Sequence, residues 1–278
     1  MFFKFRKNFI LFARKKIIFL AHHKILHEIN LDISNCLTYQ PKNKFLIVMG
    51  IHRVNSLLLH IFSGIRIGIQ TEHLYDNKKN KIYINGVSPI DAIKKNLDFF
   101  EFILDFDLSN RYFYEKNGFD LNKVIFGPYI FPKFPSQFSD NNSNYFVFVG
   151  SLSNNRRQKI LDNLKITNSK ILILGEGSYG KALKNSLKNS CGIINIAAEK
   201  TSYIPYPRIL KSIIYGKPLI SEKLPNPLIE NKHYLLLKDI ENNELHKKTF
   251  QELVKYFKKY NFDDFLMKLD KSVLTKSC

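Results

Sequence analysis

Two adjacent arginines follow a turn whose composition suits phosphate. Residues 146–164 read FVFVGSLSNNRRQKILDNL: an apolar run ends at Gly150, a polar turn follows, and a helical pattern begins near Arg156 and Arg157. Glycine lets a ligand approach the backbone closely, and the free N–H groups at a helix start favour anions. Two guanidinium groups there could add charge-assisted, bidentate hydrogen bonds. Because arginine is rare in this chain, the pair favours phosphate binding over a surface turn with two solvated arginines.

Polar residues that could act as a general base follow two apolar runs in the first half of the chain. His52 comes just after the run KFLIVMG, and Glu72 and His73 come just after IRIGIQ. A general base takes the proton of an attacking hydroxyl group. A single histidine in such a loop is more often structural, so a structural role stays open for each of these residues.

Asp105 and Asp107 form a D-x-D pair at the end of another apolar run. Paired carboxylates of this kind can hold a divalent metal under a diphosphate. Two residues of spacing also place both side chains on one face of a strand by chance. The three cysteines are widely spaced and show no zinc-binding pattern. We therefore expect no bound metal and no disulfide scaffold, and the cysteine usage fits a reducing cytoplasm.

These polar residues lie at the ends of apolar runs that alternate with helical patterns, which predicts buried parallel strands joined by helices. The predicted strands are Lys44–Gly50, Ile65–Gln70, Lys81–Ile84, Phe102–Phe106, Lys123–Phe126, Tyr145–Gly150, Lys170–Leu174, Gly192–Ile196, Lys217–Ile220 and Tyr234–Leu237. The predicted helices are Asn55–Phe62, Pro89–Leu97, Arg111–Asn117, Arg156–Leu164, Lys181–Leu187, Pro207–Tyr215 and, as the last, Glu244–Tyr260.

The alternation occurs twice, which predicts an α/β protein with two Rossmann-like parallel-sheet domains facing a cleft. The first domain is expected over residues 1–127. A proline-rich linker that ends in SDNNSN covers 128–144, and the second domain covers 145–278. Ligands of open parallel sheets bind at the carboxyl ends of the strands, so we expect the site in the cleft.

The chain is strongly basic. Its 278 residues include 43 Lys and Arg against 24 Asp and Glu, a formal net charge of +19. An anionic partner explains such an excess, and so does the residue bias of an AT-rich genome, which raises Lys, Asn, Ile and Phe together. The basic residues are spread along the chain rather than grouped in a nucleic-acid-binding module, which argues against nucleic acid.

The first 25 residues carry seven basic residues and no acidic one, with phenylalanines between them. This composition predicts a basic helix that packs on the body of the protein or lies on an anionic membrane surface. The chain has no apolar run long enough to span a bilayer. The expected location is therefore cytoplasmic, either in solution or peripheral on the inner face of the membrane.

Two segments together resemble the C-terminal half of glycosyltransferases with the two-domain GT-B fold, the group 1-like domain. One is FVGS followed by RR and a leucine; the other runs over Asn195–Glu222, with an NI strand and the stretch PYPRILKSIIYGKPLISE. The resemblance covers about residues 145–240. Over the first half it rests on Gln70-Thr71-Glu72 and the general layout.

The resemblance implies transfer of a sugar from a nucleotide-sugar donor to a cell-surface glycan or a lipid-linked acceptor, without a metal or other cofactor. It places the diphosphate at Gly150, Ser151, Arg156 and Arg157, the nucleoside near Gly175 and Glu176, and the diphosphate and sugar beside Asn195, Tyr206 and Arg208. In this fold the base would come from the N-terminal domain, which points to His52, Glu72 or His73.

Two positions depart from the family pattern. Lys211 stands where retaining members have a glutamate, and no acid stands at the partner position upstream. The two-glutamate signature of the large retaining group is therefore absent. A catalytically inactive binding protein with this fold stays open as an alternative, and a basic nucleic-acid-binding protein is a third.

Overall fold

The computed structural model describes residues 2–3, 10–54, 59–60, 62–75, 81, 89–140, 145–152, 155–166, 170–175, 178–197 and 203–276. The chain divides into two compact units. The first unit comprises Met1–Lys133 and Tyr260–Cys278, and the second comprises Phe134–Lys259. Each unit is built around its own β-sheet with helices, as the predicted α/β class requires.

The first unit contains a mixed sheet of seven strands in the order β1 to β7. β1 to β3 pair antiparallel, and β3 to β7 pair parallel, each with the next strand in the chain. The strand order therefore does not reverse among the described strands of this sheet. The strands are β1 (Phe2–Phe3), β2 (Ile10–Arg14), β3 (Ile17–Ala21), β4 (Phe45–Met49), β5 (Ile65–Gln70), β6 (Phe102–Asp105) and β7 (Val124–Phe126).

The helices with described bounds that connect these strands are α1 (Lys24–Cys36), α2 (Pro89–Asn96) and α3 (Arg111–Lys116). β4 is buried at every residue. Successive side chains of a strand point to opposite faces, so β4 contributes to a core on each side of the sheet. Leu46 and Val48 belong to one core, which Ile93 of α2 and Phe113 of α3 complete. This burial on both faces is why the strand is a continuous apolar run.

The helix predicted over residues 1–25 is wrong for residues 10–21, which form the β2–β3 hairpin. Lys15, with φ of 56°, and Lys16 make the turn. The flanking β-branched and aromatic residues favour strands, and pairing with β4 decides the conformation. The ammonium groups of Lys15 and Lys16 donate to the carbonyl oxygens of Thr38 and Lys42, at 3.2 and 2.6 Å. These two lysines thus hold the hairpin to the neighbouring loop.

The second sheet has five strands, all parallel, in the order β12-β11-β10-β8-β9. After β8 the chain adds β9 on one side and then β10 on the other, so the strand order reverses between β8 and β10. The strands are β8 (Tyr145–Val149), β9 (Lys170–Leu174), β10 (Gly192–Asn195), β11 (Leu219–Ser221) and β12 (Leu235–Leu236). The helices are α4 (Asn155–Ile166), α5 (Gly180–Asn189), α6 (Tyr206–Tyr215) and α7 (Asn243–Phe257).

A further helix, α8 (Phe262–Lys276), follows α7, so the Glu244–Tyr260 helix is not the last one. α8 belongs to the first unit, whereas the sequence placed it in the second domain. The Asp263 carboxylate accepts from the backbone N–H groups of Thr38 and Tyr39, at 3.0 and 3.2 Å. Asp270 accepts from the N–H of Lys42 at 2.7 Å. Two buried carboxylates thus fasten α8 to the loop after α1.

The predicted linker 128–144 divides between the units, and residues 141–144 lie outside the described residues. Ser139 donates its N–H to the carbonyl of Gly216 at 2.9 Å, and its own carbonyl accepts from the buried Lys217 ammonium at 3.1 Å. This stretch therefore packs on the second unit instead of forming a free connection.

The other predicted elements compare directly with these ranges. The predicted strands and helices at the described positions are confirmed with boundaries that shift by a few residues. Most of the predicted helix Asn55–Phe62 and most of the predicted strand Lys81–Ile84 lie outside the described residues. In the described part of the chain, each helix is too short or too polar to cross a bilayer.

Candidate functional site

The reversal of strand order in the second unit gathers polar groups at one edge of its sheet. In open α/β sheets, ligands bind beyond the carboxyl ends of the strands at such a reversal. Here β8 ends at Val149 and β10 ends at Asn195. Three arginine side chains donate to the backbone at or just after these two residues.

Arg208, from the first turn of α6, bridges the ends of the two strands. Its guanidinium donates to the carbonyl of Val149 at 3.2 Å and to the Asn195 side-chain oxygen at 2.8 Å. The Asn195 amide in turn donates to the Ser221 hydroxyl at 2.8 Å, which fixes the orientation of the amide. A Cβ at Gly150 would lie 3.2 Å from an Arg208 nitrogen, so glycine makes room for the guanidinium.

Arg157, from the first turn of α4, lies beside Arg208. It donates to the carbonyl of Ile196 at 3.1 Å and to that of Ser151 at 3.2 Å. Both guanidinium groups lie near the ring of Phe148, with distances to its centroid of 5.8 Å from Arg157 and 6.0 Å from Arg208. The fully buried aromatic ring therefore supports two cations at once.

Arg156, the neighbour of Arg157, has an acidic partner. It forms an ion pair with Glu222, which directly follows β11, and donates to the carbonyl of Ala197 at 2.9 Å. The Glu222 carboxylate also accepts from the N–H of Ala197 at 3.0 Å. A carboxylate held by a guanidinium and a backbone N–H occupies the kind of position that a phosphate oxygen takes.

The electrostatics of the cluster favour an anion. Burial, followed by the nearby charge of Arg157, lowers the pKa of Arg208 to about 10. Burial and the charge of Arg156 lower the pKa of Arg157. The hydrogen bond that Arg156 donates to Glu222 has the opposite effect and raises the pKa of Arg156. The described hydrogen bonds of Arg157 and Arg208 go to neutral oxygens, and the charge of Glu222 acts on Arg157 without a hydrogen bond among the described contacts. The two guanidinium groups repel each other, and a bound anion would relieve that repulsion.

The other residues predicted to bind the donor are Gly175, Tyr206 and Glu176. Gly175 directly follows β9, the neighbour of β8. Tyr206 begins α6 and packs edge-on against Phe257, at 6.2 Å between ring centroids. Glu176 lies outside the described residues. The structure thus brings together Gly150, Ser151, Arg156, Arg157, Asn195 and Arg208.

The carboxyl edge of the first sheet carries a different set of groups. His73 follows β5, and its Nδ1 contacts a carboxylate oxygen of Asp107, which follows β6. The N–H of Ser109 donates to the other oxygen of Asp107 at 2.8 Å. Burial raises the pKa of Asp107, but the hydrogen bonds from His73 and Ser109 and the charge of His73 outweigh it and lower the pKa. An ionised Asp107 accepts a hydrogen bond from the Nδ1–H group of His73. The lone pair of the imidazole is then on Nε2, which is the basic nitrogen.

His52 and Glu72 form a second imidazole–carboxylate pair at this edge. The His52 Nε2 lies 3.8 Å from a Glu72 oxygen. Glu72 also accepts from the Thr71 hydroxyl at 3.2 Å, and its N–H donates to the fully buried Gln70 side chain at 3.3 Å. The structure therefore places all three predicted base candidates at the ends of neighbouring strands β4 and β5.

The two aspartates of the D-x-D pair have different partners. Asp105 is fully buried and accepts from the Tyr114 hydroxyl at 2.8 Å and from the Asn110 amide at 3.1 Å. Asp107 instead contacts His73. In the described part of the chain, no group of three or more His, Cys, Asp or Glu side chains is arranged to hold a metal ion.

Reasoning from sequence missed two residues that the structure adds to these edges. Glu222 lies inside the GKPLISE stretch, and its position directly after a predicted strand was the signal that could have found it. Asp107 was treated as a partner of Asp105 for a metal, although it also stands just after a strand whose neighbour ends close to His73. Two side chains that follow different strands can pair only where those strands are neighbours in the sheet. The sequence pattern does not contain the order of the strands.

No protein-family model and no curated protein sequence matches this chain. Solved structures do match. The crystal structure of TarM superposes with a TM-score of 0.52 at 16% identity, over 81% of this chain and 53% of TarM. Accessory secretory protein 1, 2 and 3 of Streptococcus pneumoniae gives a TM-score of 0.47 at 10% identity, over 89% of this chain and 56% of that chain. HepE of Anabaena in complex with UDP gives 0.42 at 9% identity, over 89% of this chain and 81% of HepE.

These structures are glycosyltransferases of the GT-B type. The likeness to TarM shows the fold of this chain and confirms the predicted fold class. The chain spans about half the length of TarM, since it covers 53% of it.

Proposed function

We propose that this protein is a glycosyltransferase that takes its sugar from a nucleotide-sugar donor. The observation that carries the proposal is the arginine cluster at the strand reversal of the second unit, formed by Arg156, Arg157 and Arg208. GT-B-type structural neighbours support the same class of reaction. From the sequence, we expect the acceptor to be a cell-surface glycan or a lipid-linked molecule. We also expect a cytoplasmic location, either in solution or peripheral to the membrane.

The second unit binds the diphosphate of the donor. The guanidinium groups of Arg157 and Arg208 are positively charged and are positioned by hydrogen bonds to neutral oxygens. A diphosphate bears enough negative charge to balance both. Gly150 and Ser151 supply backbone close to these groups, because both follow β8 directly. When the bond between sugar and diphosphate breaks, its electron pair stays on the diphosphate oxygen. The two guanidinium groups then stabilise the added charge on the leaving group.

The first unit supplies the general base. Of His52, Glu72 and His73, we favour His73, because the Asp107 contact at Nδ1 holds the ring and puts the basic lone pair on Nε2. The acceptor hydroxyl loses its proton to Nε2 as its oxygen bonds to the anomeric carbon of the sugar. This single displacement inverts the configuration at that carbon and needs no second glutamate, in keeping with Lys211 at the position where retaining members have one.

A thermal-shift screen of the full chain tests the proposal. The ligands are the common nucleoside diphosphates and nucleotide sugars, and the proteins are the wild type and the double variant Arg157→Met/Arg208→Met. A ligand at about 100 times its dissociation constant adds about 2.7 kcal/mol of stability. We expect stabilisation of the wild type by one nucleotide class and none of the double variant.

The matched control is Arg111→Met. Arg111 is an exposed arginine on α3, paired with Glu115 four residues later, and lies in the other unit. This variant should respond to the nucleotide as the wild type does. A wild type that responds to no nucleotide contradicts the proposal, and binding without sugar transfer points to the non-catalytic alternative.

A further inference from the structure

Asp105 ends β6 with its side chain completely buried, and no step of the proposed reaction uses it. Its carboxyl group nevertheless lies at the meeting point of two hydrogen-bond paths that lead to His73. One path runs through Asn110 to the backbone on both sides of His73. The other runs through Asp107 to the imidazole ring.

The first path fixes the backbone of His73. The Asn110 side-chain oxygen accepts from the N–H of Leu74 at 3.0 Å, and the amide nitrogen donates to the carbonyl of Glu72 at 2.9 Å. These groups belong to the residues directly before and after His73. The Asn110 nitrogen also donates to Asp105, at 3.1 and 3.2 Å to its two oxygens. The Asp105 carboxyl group therefore accepts from the same amide nitrogen that bonds Glu72, and so reinforces the orientation of the amide.

The second path fixes the partner of the imidazole. The N–H of Asp107 donates to an Asp105 oxygen at 2.8 Å. The Asp107 side chain contacts Nδ1 of His73. The carboxyl group of Asp105 thus places the backbone from which the Asp107 side chain reaches the ring.

We infer that Asp105 is a positioning residue for His73: it holds the histidine backbone through Asn110 and the imidazole through Asp107. The inference rests on the proposed role of His73 as base. It replaces the interpretation of Asp105 and Asp107 as a metal-binding pair. The buried carboxyl group acts only through other residues and does not touch the substrate.

The test is the tautomer of the His73 ring, measured by long-range proton–nitrogen NMR on the full chain with labelled histidine. The chain has 8 histidines, and the His73→Gln variant assigns the signal. We expect a single tautomer in the wild type, with the proton on Nδ1. In Asp105→Ala, where both paths are cut, we expect loss of the single tautomer and a mixture of both.

Two matched variants separate positioning from packing. Asp105→Asn keeps an oxygen for Asn110 and Asp107 while its amide donates to the Tyr114 hydroxyl, so it should restore the single tautomer. Tyr114→Phe removes only the 2.8 Å hydrogen bond of the tyrosine to Asp105 and leaves both paths in place, so it should keep the single tautomer as well. A mixture in Tyr114→Phe as large as that in Asp105→Ala would overturn the inference.

Amide hydrogen exchange in the wild type gives a second reading that needs no variant. The N–H groups of Leu74 and Asp107 should exchange as slowly as those of β6, since each is bonded within the network. Fast exchange at either amide, or a wild-type His73 with its proton on Nε2, would contradict the inference. Neither readout depends on sugar transfer, so a protein inactive as a transferase can still confirm the positioning role.

Discussion

The carboxyl edges of the two sheets carry opposite chemistry. In the second unit, the strand order reverses between β8 and β10, and three arginines converge there. In the first unit, the strand order does not reverse among the described strands, and the same edge carries two imidazole–carboxylate pairs. One edge suits an anion, and the other suits proton transfer. The comparison shows that two α/β sheets can place different chemistry at corresponding edges.

Burial favours the neutral form of the titratable groups at both edges, but the resulting charge at neutral pH differs. It lowers the pKa of Arg208 to about 10, which still leaves the guanidinium charged at neutral pH. It raises the pKa of Asp105 to about 8, which leaves the carboxyl mostly protonated at neutral pH. The edge of the second unit therefore keeps its buried charge, whereas that of the first unit keeps a neutral buried acid. This difference gives the comparison its measurable consequences.

The largest expected effect is loss of nucleotide binding in Arg157→Met/Arg208→Met. Hydrogen bonds to charged groups contribute about 1.5 to 3 kcal/mol each, so losing two should weaken nucleoside diphosphate binding by about 100- to 10,000-fold. Titration calorimetry measures the affinity, and far-ultraviolet circular dichroism checks that the variant is folded. Equal affinity in the double variant and in Arg111→Met would remove the arginine cluster from the account.

The next effect separates the two edges kinetically. His73→Gln should lower the rate of sugar transfer by about 100- to 10,000-fold, the range for loss of a general base. The affinity for nucleoside diphosphate should not change, because the arginine cluster is intact. Steady-state kinetics with the donor found by the screen, together with calorimetry, gives both quantities. A variant with wild-type turnover would shift the base to His52 or Glu72.

The third prediction concerns stability and pH. The folded-state pKa of Asp105 is raised by burial to about 8 from 3.8, so between these values the folded protein holds a proton that the unfolded chain has released. The contribution of this group is thus full below the unfolded pKa and decreases as pH rises, by at most about 1.4 kcal/mol per pH unit. Urea unfolding of the wild type and of Asp105→Asn from pH 5 to 8 isolates this group, because the three histidines whose lowered pKa values act in the opposite direction are common to both proteins. The stability of the wild type relative to that of Asp105→Asn should fall as pH rises, and an identical pH dependence would contradict the shifted pKa.

The smallest expected effect is a gain. Glu222→Gln removes a negative charge from beside Arg156 and should raise the affinity for nucleoside diphosphate by up to about five-fold, in line with the energy of partly exposed ion pairs. Calorimetry at low and high salt measures it, and the gain should shrink as salt rises. Weaker binding in this variant would instead show that Glu222 contacts the ligand.

Local patterns predicted most of the parallel strands but not how they are arranged. Apolar runs such as KFLIVMG and GIINI are strong signals because these strands are buried within parallel sheets. Strand order depends on tertiary packing, so the reversal at β8 and the pairing of His73 with Asp107 could not be read from the sequence. The N-terminal hairpin was missed because its basic turn resembled the polar face of a helix. The helix α8 was not predicted. Its two aspartates bind a loop more than 200 residues away in sequence, and such contacts leave no local pattern.

The most direct test of the account maps where a nucleoside diphosphate binds. Uridine, guanosine and adenosine diphosphates are titrated separately into isotope-labelled protein, and amide and arginine Nε signals are followed by NMR. The account predicts shifts for one nucleotide at Gly150, Ser151 and Ala197 and at the side chains of Arg157 and Arg208. The amides of Glu72, His73 and Asp107 should move less. Shifts confined to the carboxyl edge of the first sheet would contradict the central claim, because the anion would then bind where the structure places the acid and imidazole groups.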